Sequence, residues 1–204
     1  MKKLLSLLLL LSFTIKAQDV TIGTQTWTSK NLNVGTYRNG DKIPQVQDKN
    51  AWAKLKTGAW CYYENKTANG KIFGKLYNWY AVNDPRGLSP TGYHIPTDAE
   101  WTILTDYLGG ESPPNSQAGT KMRYTSSWKD NGNGTNASGF AGLAGGYRDS
   151  NGNFFGIGSE GAWWNSSEYE ANLAWYRYLS NFNRGVYRRN HPKVYSLAVR
   201  CIKD

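Results

Sequence analysis

The chain has 204 residues, of which 22 are glycine; aromatics reach 14%, charged residues only 19%, and the formal charge is +9. With so few charges and so many glycines the sequence reads as a loop-rich fold whose aromatics carry much of the core, since each buries roughly 150–250 Å². The basic excess has no nucleic-acid signature, and after the N-terminus no run is apolar enough to span a bilayer.

The first segment reads as an address. Lys2 and Lys3 precede the apolar run Leu4 to Leu11, interrupted only by Ser6, and Ala17 stands at a small-residue cleavage position. Met1 to Ala17 falls short of the roughly 20 apolar residues that cross a membrane, and no cysteine near Ala17 offers a lipid anchor. Residues 1–17 are therefore expected to be a signal peptide and the protein to be exported, whether secreted, periplasmic or on the cell surface, with no membrane insertion after cleavage. Three lysines and no acid leave with that segment, so the remainder carries +6. Residues 18–204 suit a single domain on a prior of about 100–200 residues.

The elements that follow are short. Val20 to Ile22 and Gln25 to Trp27 predict a hairpin around Gly23-Thr24, and Asp48 or Asn50 can cap a short helix holding Trp52 and Leu55. Trp60 to Tyr63 reads as a strand. Leu76 to Val82 is apolar at nearly every position, so its period does not separate helix from strand; Pro85 ends it. Thr97 is spaced to form a capping box with Glu100, and Trp101, Leu104 and Leu108 make one apolar stripe that stops at Gly109-Gly110, which predicts a helix over Asp98 to Leu108. Phe140 to Tyr147 pairs with Phe154 to Ile157 through an Asn151-Gly152 turn. Leu173 to Leu179 and Val186 to Arg189 form a second hairpin around Asn183-Arg184-Gly185. In the closing strand Tyr195, Leu197, Val199 and Cys201 face one way, and Ser196, Ala198, Arg200 and Ile202 the other. The architecture is α+β, a few short helices on a twisted antiparallel sheet.

Four words carry a resemblance: Gly92-Tyr93-His94-Ile95-Pro96-Thr97-Asp98-Ala99-Glu100-Trp101, Lys75 to Val82, Trp163-Trp164-Asn165-Ser166-Ser167, and Val199-Arg200-Cys201-Ile202-Lys203-Asp204. In this order, from about Val20 to the last residue, they resemble the Fibrobacter succinogenes major paralogous domain, a family of secreted bacterial modules. The resemblance implies a C-type-lectin-like fold, shared with the formylglycine-generating (sulfatase-modifying) enzymes, whose Leu-Pro-Thr-Glu-Ala-Glu-Trp helix is similar to Ile95 to Trp101. It favours helix for Leu76 to Val82 and implies no activity. Family members often carry a further cysteine where this chain has Ser89.

Cys61 and Cys201, the only two cysteines, both lie in predicted strands of an exported chain. Either one Cys61–Cys201 disulfide or two buried thiols fits. Catalytic patterns are weak. The late region has Cys201 alone where the formylglycine generators use a reactive pair, His94 reads as a packed or hydrogen-bonded structural residue, and Glu100 is explained by capping. Neither histidine has a partner at zinc-ligand spacing. Asp149, Asn151, Asn153 and Glu160 match an EF-hand-like spacing, but Phe154 replaces the required glycine and a hairpin explains them better. No enzyme activity, metal or cofactor is expected.

What remains is a surface. In C-type-lectin-like modules the late loops and strands present the ligand face, and here they hold Tyr147, Arg148, Trp163, Trp164, Asn165, Glu168, Arg184, Tyr187, Arg188 and Arg189. Rings stack on sugars while Asn, Glu and Arg orient hydroxyls. Tyr147, Arg148, Trp164, Asn165, Glu168, Tyr187, Arg188 and Arg189 are the ligand-binding candidates. The function they predict is a secreted, non-catalytic binding or adhesion module for a surface polysaccharide, another cell-envelope polymer or a protein ligand; the alternatives are an exported enzyme related to the formylglycine generators with altered chemistry, and a structural envelope protein.

Overall fold

A computed structural model describes residues 19–111 and 116–204; the segment expected to be a signal peptide lies outside the described residues. Strands β1 (Asp19–Ile22) and β2 (Gln25–Thr28) form the expected hairpin, turning at Gly23 with φ 60°. Helix α1 (Lys49–Ala53) starts at Asp48, whose Oδ1 accepts from the Ala51 N–H at 2.7 Å. Trp52 is buried within it, while Leu55 falls beyond its end. Strand β3 (Trp60–Cys61) is shorter than the pattern suggested, because the chain tightens into a 3₁₀ turn at Tyr63–Asn65 before helix α2 (Thr67–Phe73).

The run Leu76 to Val82 is not one helix. It divides into strand β4 (Leu76–Asn78) and helix α3 (Trp79–Val82) at Asn78, whose side-chain oxygen accepts from the N–H of Ala81 and also from that of Ala59. Burial on nearly every side hides both periods in the sequence. Strand β5 (Tyr93–His94) then leads into helix α4 (Asp98–Leu108), which has the predicted bounds. Thr97 Oγ1 accepts from Glu100 N at 3.2 Å, and Glu100 Oε2 accepts from Thr97 N at 2.7 Å. Helix α5 (Ala118–Met122) follows.

Strands β6 (Gly145–Arg148) and β7 (Phe154–Ile157) pair as expected, but Phe140 to Ala144 stays outside the strand. Their connection is a loop rather than a two-residue turn: Asp149 Oδ1 accepts from the N–H groups of Asn151 and Asn153. Strands β8 (Glu160–Glu170), β9 (Leu173–Ser180) and β10 (Tyr187–Pro192) make an antiparallel meander. The chain closes with β11 (Ser196–Leu197) and β12 (Ile202–Lys203).

Two sheets result, ordered β1-β2-β12-β5 and β10-β9-β8-β6-β11-β4-β3, with β7 added on β6. The fold is loop-rich α+β. What had read as one final strand divides between them, so β11 lies inside the larger sheet and β12 inside the smaller. Between the two, Ala198 N donates to Ala162 O and Thr28 N to Cys201 O. Its alternation holds, because the two sides face separate apolar clusters. Leu197, Val199 and Cys201 join Trp79, Trp164 and Tyr176; Ala198 and Ile202 join Trp27, Trp101 and Trp163. The second cluster has an aromatic centre: Phe140 lies 5.4–6.0 Å from the rings of Trp27, Trp101 and Trp163, edge to face with each.

Candidate functional site: a ring-lined sheet face

Residues opposite one another on neighbouring strands share a face of the sheet. The register therefore gathers Tyr176 and Tyr178 of β9 with Tyr187, Arg189 and His191 of β10 and with Glu160, Ala162 and Trp164 of β8. Arg177, Arg188, Trp163, Trp175 and Asn190 fall on the opposite face.

On the first face the rings form a row. Tyr187 is parallel to Tyr178 at 4.8 Å between centroids, Tyr178 to Tyr176 at 5.9 Å, Tyr176 to His191 at 4.5 Å, and His191 to Tyr195 at 4.2 Å. Tyr147 continues the row 6.1 Å from Tyr195, and the exposed Phe155 flanks Tyr147 at 5.9 Å. The closest pairs cover each other's faces; Tyr176 is buried and the other rings of the row are half-buried. Burial pushes the His191 imidazole down to about 4, which keeps it neutral at neutral pH. Burial also raises Tyr176 and carries Tyr147 up to about 12, so these phenols stay protonated and able to donate.

The opposite face is closed by charge. Asp98, in the first turn of α4 where a carboxylate complements the helix dipole, accepts from Arg177 Nη1 at 2.5 Å and Asn165 Nδ2 at 3.0 Å, and meets Arg188 Nη2 at 2.8 Å. Burial resists its ionisation, but the hydrogen bonds from Arg188 and Arg177 outweigh that and hold its carboxyl below the usual range. Arg188 lies 3.5 Å over the Trp175 ring, and the fully buried Arg177 also donates to Asp98 O and Thr102 Oγ1. A second acid, Glu111, stands 2.9 Å from Arg177 as a charge neighbour without hydrogen-bond alignment.

These positions sort the candidates. Arg148, Trp164 and Asn165 are buried and leave the binding surface. Arg148 donates to the carbonyls of Gly152, Val46 and Gln47, Trp164 Nε1 to Tyr77 O, and Asn165 Nδ2 to Asp98. Trp163 is likewise buried, donating to Asn31 Oδ1. Arg188 is tied to Asp98, and Glu168 pairs with Lys193 at 2.6 Å. Tyr147, Tyr187 and Arg189 belong to the ring face, and Arg184 is exposed in the β9–β10 connection. The sequence reading missed Tyr176, Tyr178, His191, Tyr195 and Glu160. Strand alternation in Trp175-Tyr176-Arg177-Tyr178 already placed two of them on one side; the approach of Tyr195 and Tyr147 has no local signal.

Of the two states open to Cys61 and Cys201, a disulfide or two buried thiols, the structure has the thiols. Both cysteines are free and buried, Cys61 in the tryptophan-rich cluster with its Sγ 3.6 Å from Ser196 Oγ, Cys201 in the other cluster. Burial pushes the Cys61 thiol up to about 11 and Cys201 to about 12. Ser89 donates to Tyr93 O and accepts from Arg38. His94 bridges Glu100 Oε1 at 2.9 Å and Asp204 Oδ1 at 2.7 Å. Burial works against its charge, but these two carboxylates outweigh it and raise the imidazole.

A groove of about 740 Å³ lies elsewhere, with Lys30, Asn31, Lys71 and Tyr124 on its walls and Asp19 as its only acid. Arg200 also lines it, donating to Asn31 Oδ1, Thr28 O and Ala141 O; burial brings this guanidinium down to about 9. Much of the positive charge is thus internal, since Arg123, Arg148, Arg177, Lys75 and Lys193 are also buried. Among the described residues no three or more of His, Cys, Asp and Glu converge to hold a metal, and no helix is long and apolar enough to cross a membrane.

The fold and its surface define a loop-rich α+β domain with a ring-lined face and a charge-closed one. The chain belongs to the Fibrobacter succinogenes major domain family, whose model matches residues 20–203. No curated protein and no solved structure matches it.

Proposed function

We propose that the protein is an exported, non-catalytic recognition module that binds a cell-surface polysaccharide through the ring face of β8, β9 and β10. The row of parallel rings carries this reading: strands β6, β9 and β10 and the residue Tyr195 each contribute to one continuous strip. A strip of half-buried phenols can hydrogen-bond the hydroxyls of several successive sugars, while the exposed Phe155 beside Tyr147 can stack on one. Export is supported by the Lys2-Lys3 and Leu4 to Leu11 pattern.

The basic residues close to Tyr187 in sequence do not act as a block, because Arg188 and Lys193 are paired with Asp98 and Glu168. Arg189 is the cation that stays on this face, 5.7 Å over the Tyr187 ring. A glycan array at neutral pH tests the reading. Wild type binds a polysaccharide that Tyr187→Ala and Tyr178→Ala bind at least about tenfold more weakly, as expected for loss of ring contacts. Absence of any glycan binding by the wild type, or cleavage of a bound polymer, overturns it.

A further inference from the structure

The ring row has one chemical asymmetry. Glu160 lies beside Tyr147, and among the described residues it is the one half-buried carboxylate that makes no hydrogen bond or ion pair. Asp106 and Glu170 also lack partners but are exposed, whereas Asp98, Glu100, Glu111, Asp149 and Glu168 are all engaged. Gly156, whose φ is +80°, lies against it: a Cβ there would be 3.1 Å from Glu160 Cβ, 3.5 Å from the Tyr147 ring and 3.6 Å from Glu160 Cδ. Ring and carboxylate therefore converge on the same point beside a residue that has no side chain. Tyr176 and Tyr178 lie close enough to feel the same charge. Two cations are near and neither pairs with it: Lys129 packs over Gly158, and Arg189 sits toward Tyr187. Burial raises the Glu160 carboxyl, and among the described residues no hydrogen bond or ion pair offsets that cost.

A half-buried, uncompensated carboxylate costs stability, and beside electron-rich rings it matches a cation. Resting on the polysaccharide reading above, we infer that the Tyr147 end of the row binds an ammonium group carried by an amino sugar of the polymer, with Glu160 as its counter-charge and Tyr147 as its ring neighbour.

The test compares a β-1,4-glucosamine polymer with the same polymer fully N-acetylated, against wild type and Glu160→Gln. Wild type should prefer the free-amine polymer. Glu160→Gln should weaken that polymer about tenfold, the scale of one charge-assisted hydrogen bond, and leave the acetylated polymer unchanged. Its unfolding midpoint should stay level or rise; a clear fall would make Glu160 a structural residue and overturn the assignment. Equal binding of both polymers, insensitive to Glu160→Gln, overturns the ammonium site and leaves the ring-face reading standing. The ammonium site is overturned in the same way if only neutral glycans of the array bind, or if poly-lysine binds in place of the glucosamine polymer. Failure of every glycan overturns both.

Discussion

The two faces of the β9–β10 hairpin are made from alternate residues of the same strands, and they have been finished in opposite ways. On one, Arg177 and Arg188 converge on Asp98, and Trp175 is capped by the Arg188 guanidinium. On the other, Tyr176, Tyr178, Tyr187 and His191 stack in a row that Tyr195 continues, and Glu160 is unpaired. The first face fastens α4 to the sheet. The second stays half open, and the contrast shows that a basic, aromatic hairpin need not be a basic surface.

The largest way to break the contrast is Asp98→Ala. It strips a carboxylate from buried Arg177 and also from Asn165, so urea unfolding should show a loss of about 3–5 kcal/mol, the usual cost of orphaning a buried ion-pair partner. A loss under about 1 kcal/mol would put the two faces on an equal footing.

Next comes pH. The His191 imidazole is lowered from 6.5 to about 4 in the folded protein. On acidification the unfolded chain therefore takes the proton first, and the stability that comes from keeping the ring neutral is present above pH 6.5 and lost between there and about 4. His94 has the opposite sign: its folded value is raised, so its contribution is full below 6.5 and disappears as pH rises through that raised value. Subtracting the pH profile of His191→Phe from that of wild type isolates the ring-face term. A difference that does not grow below pH 6.5 would mean that the imidazole is open to water.

Thr97→Ala should cost about 1 kcal/mol by removing the cap of α4, measured as a shift in the denaturant midpoint. At the bottom of the scale, Arg189→Ala, exposed on the ring face, should stay within about 0.5 kcal/mol of wild type. The buried thiols supply a separate check. Native protein should resist a thiol reagent, the unfolded chain should react at both Cys61 and Cys201, and a reductant should leave the unfolding midpoint in place.

Where chemistry is local, the sequence could be read. The Thr97-Glu100 box, the Gly23 turn and the Asp48 cap depend on neighbours within a few residues, and each is present. The β9 alternation likewise separates Tyr176 and Tyr178 from Arg177. Legibility fails where the partner is remote. Arg148 looks like a surface residue until Val46 and Gln47 bring it their carbonyls, and Asn78 divides an apolar run because Ala59 and Ala81 both need its oxygen. The row itself depends on Tyr147 and Tyr195 arriving beside His191 from separate segments. No periodicity records that meeting.

The closing segment has a kinetic consequence. Before Ser196 to Lys203 is added, β4 and β6 lack the strand that joins them, and so do β2 and β5. Those pairings are non-local, Ile202 opposite Trp27 being the most distant in sequence, and loop closure on that scale is slow. Without this segment neither sheet is complete and both keep open strand edges, so the two sheets close together only when it pairs.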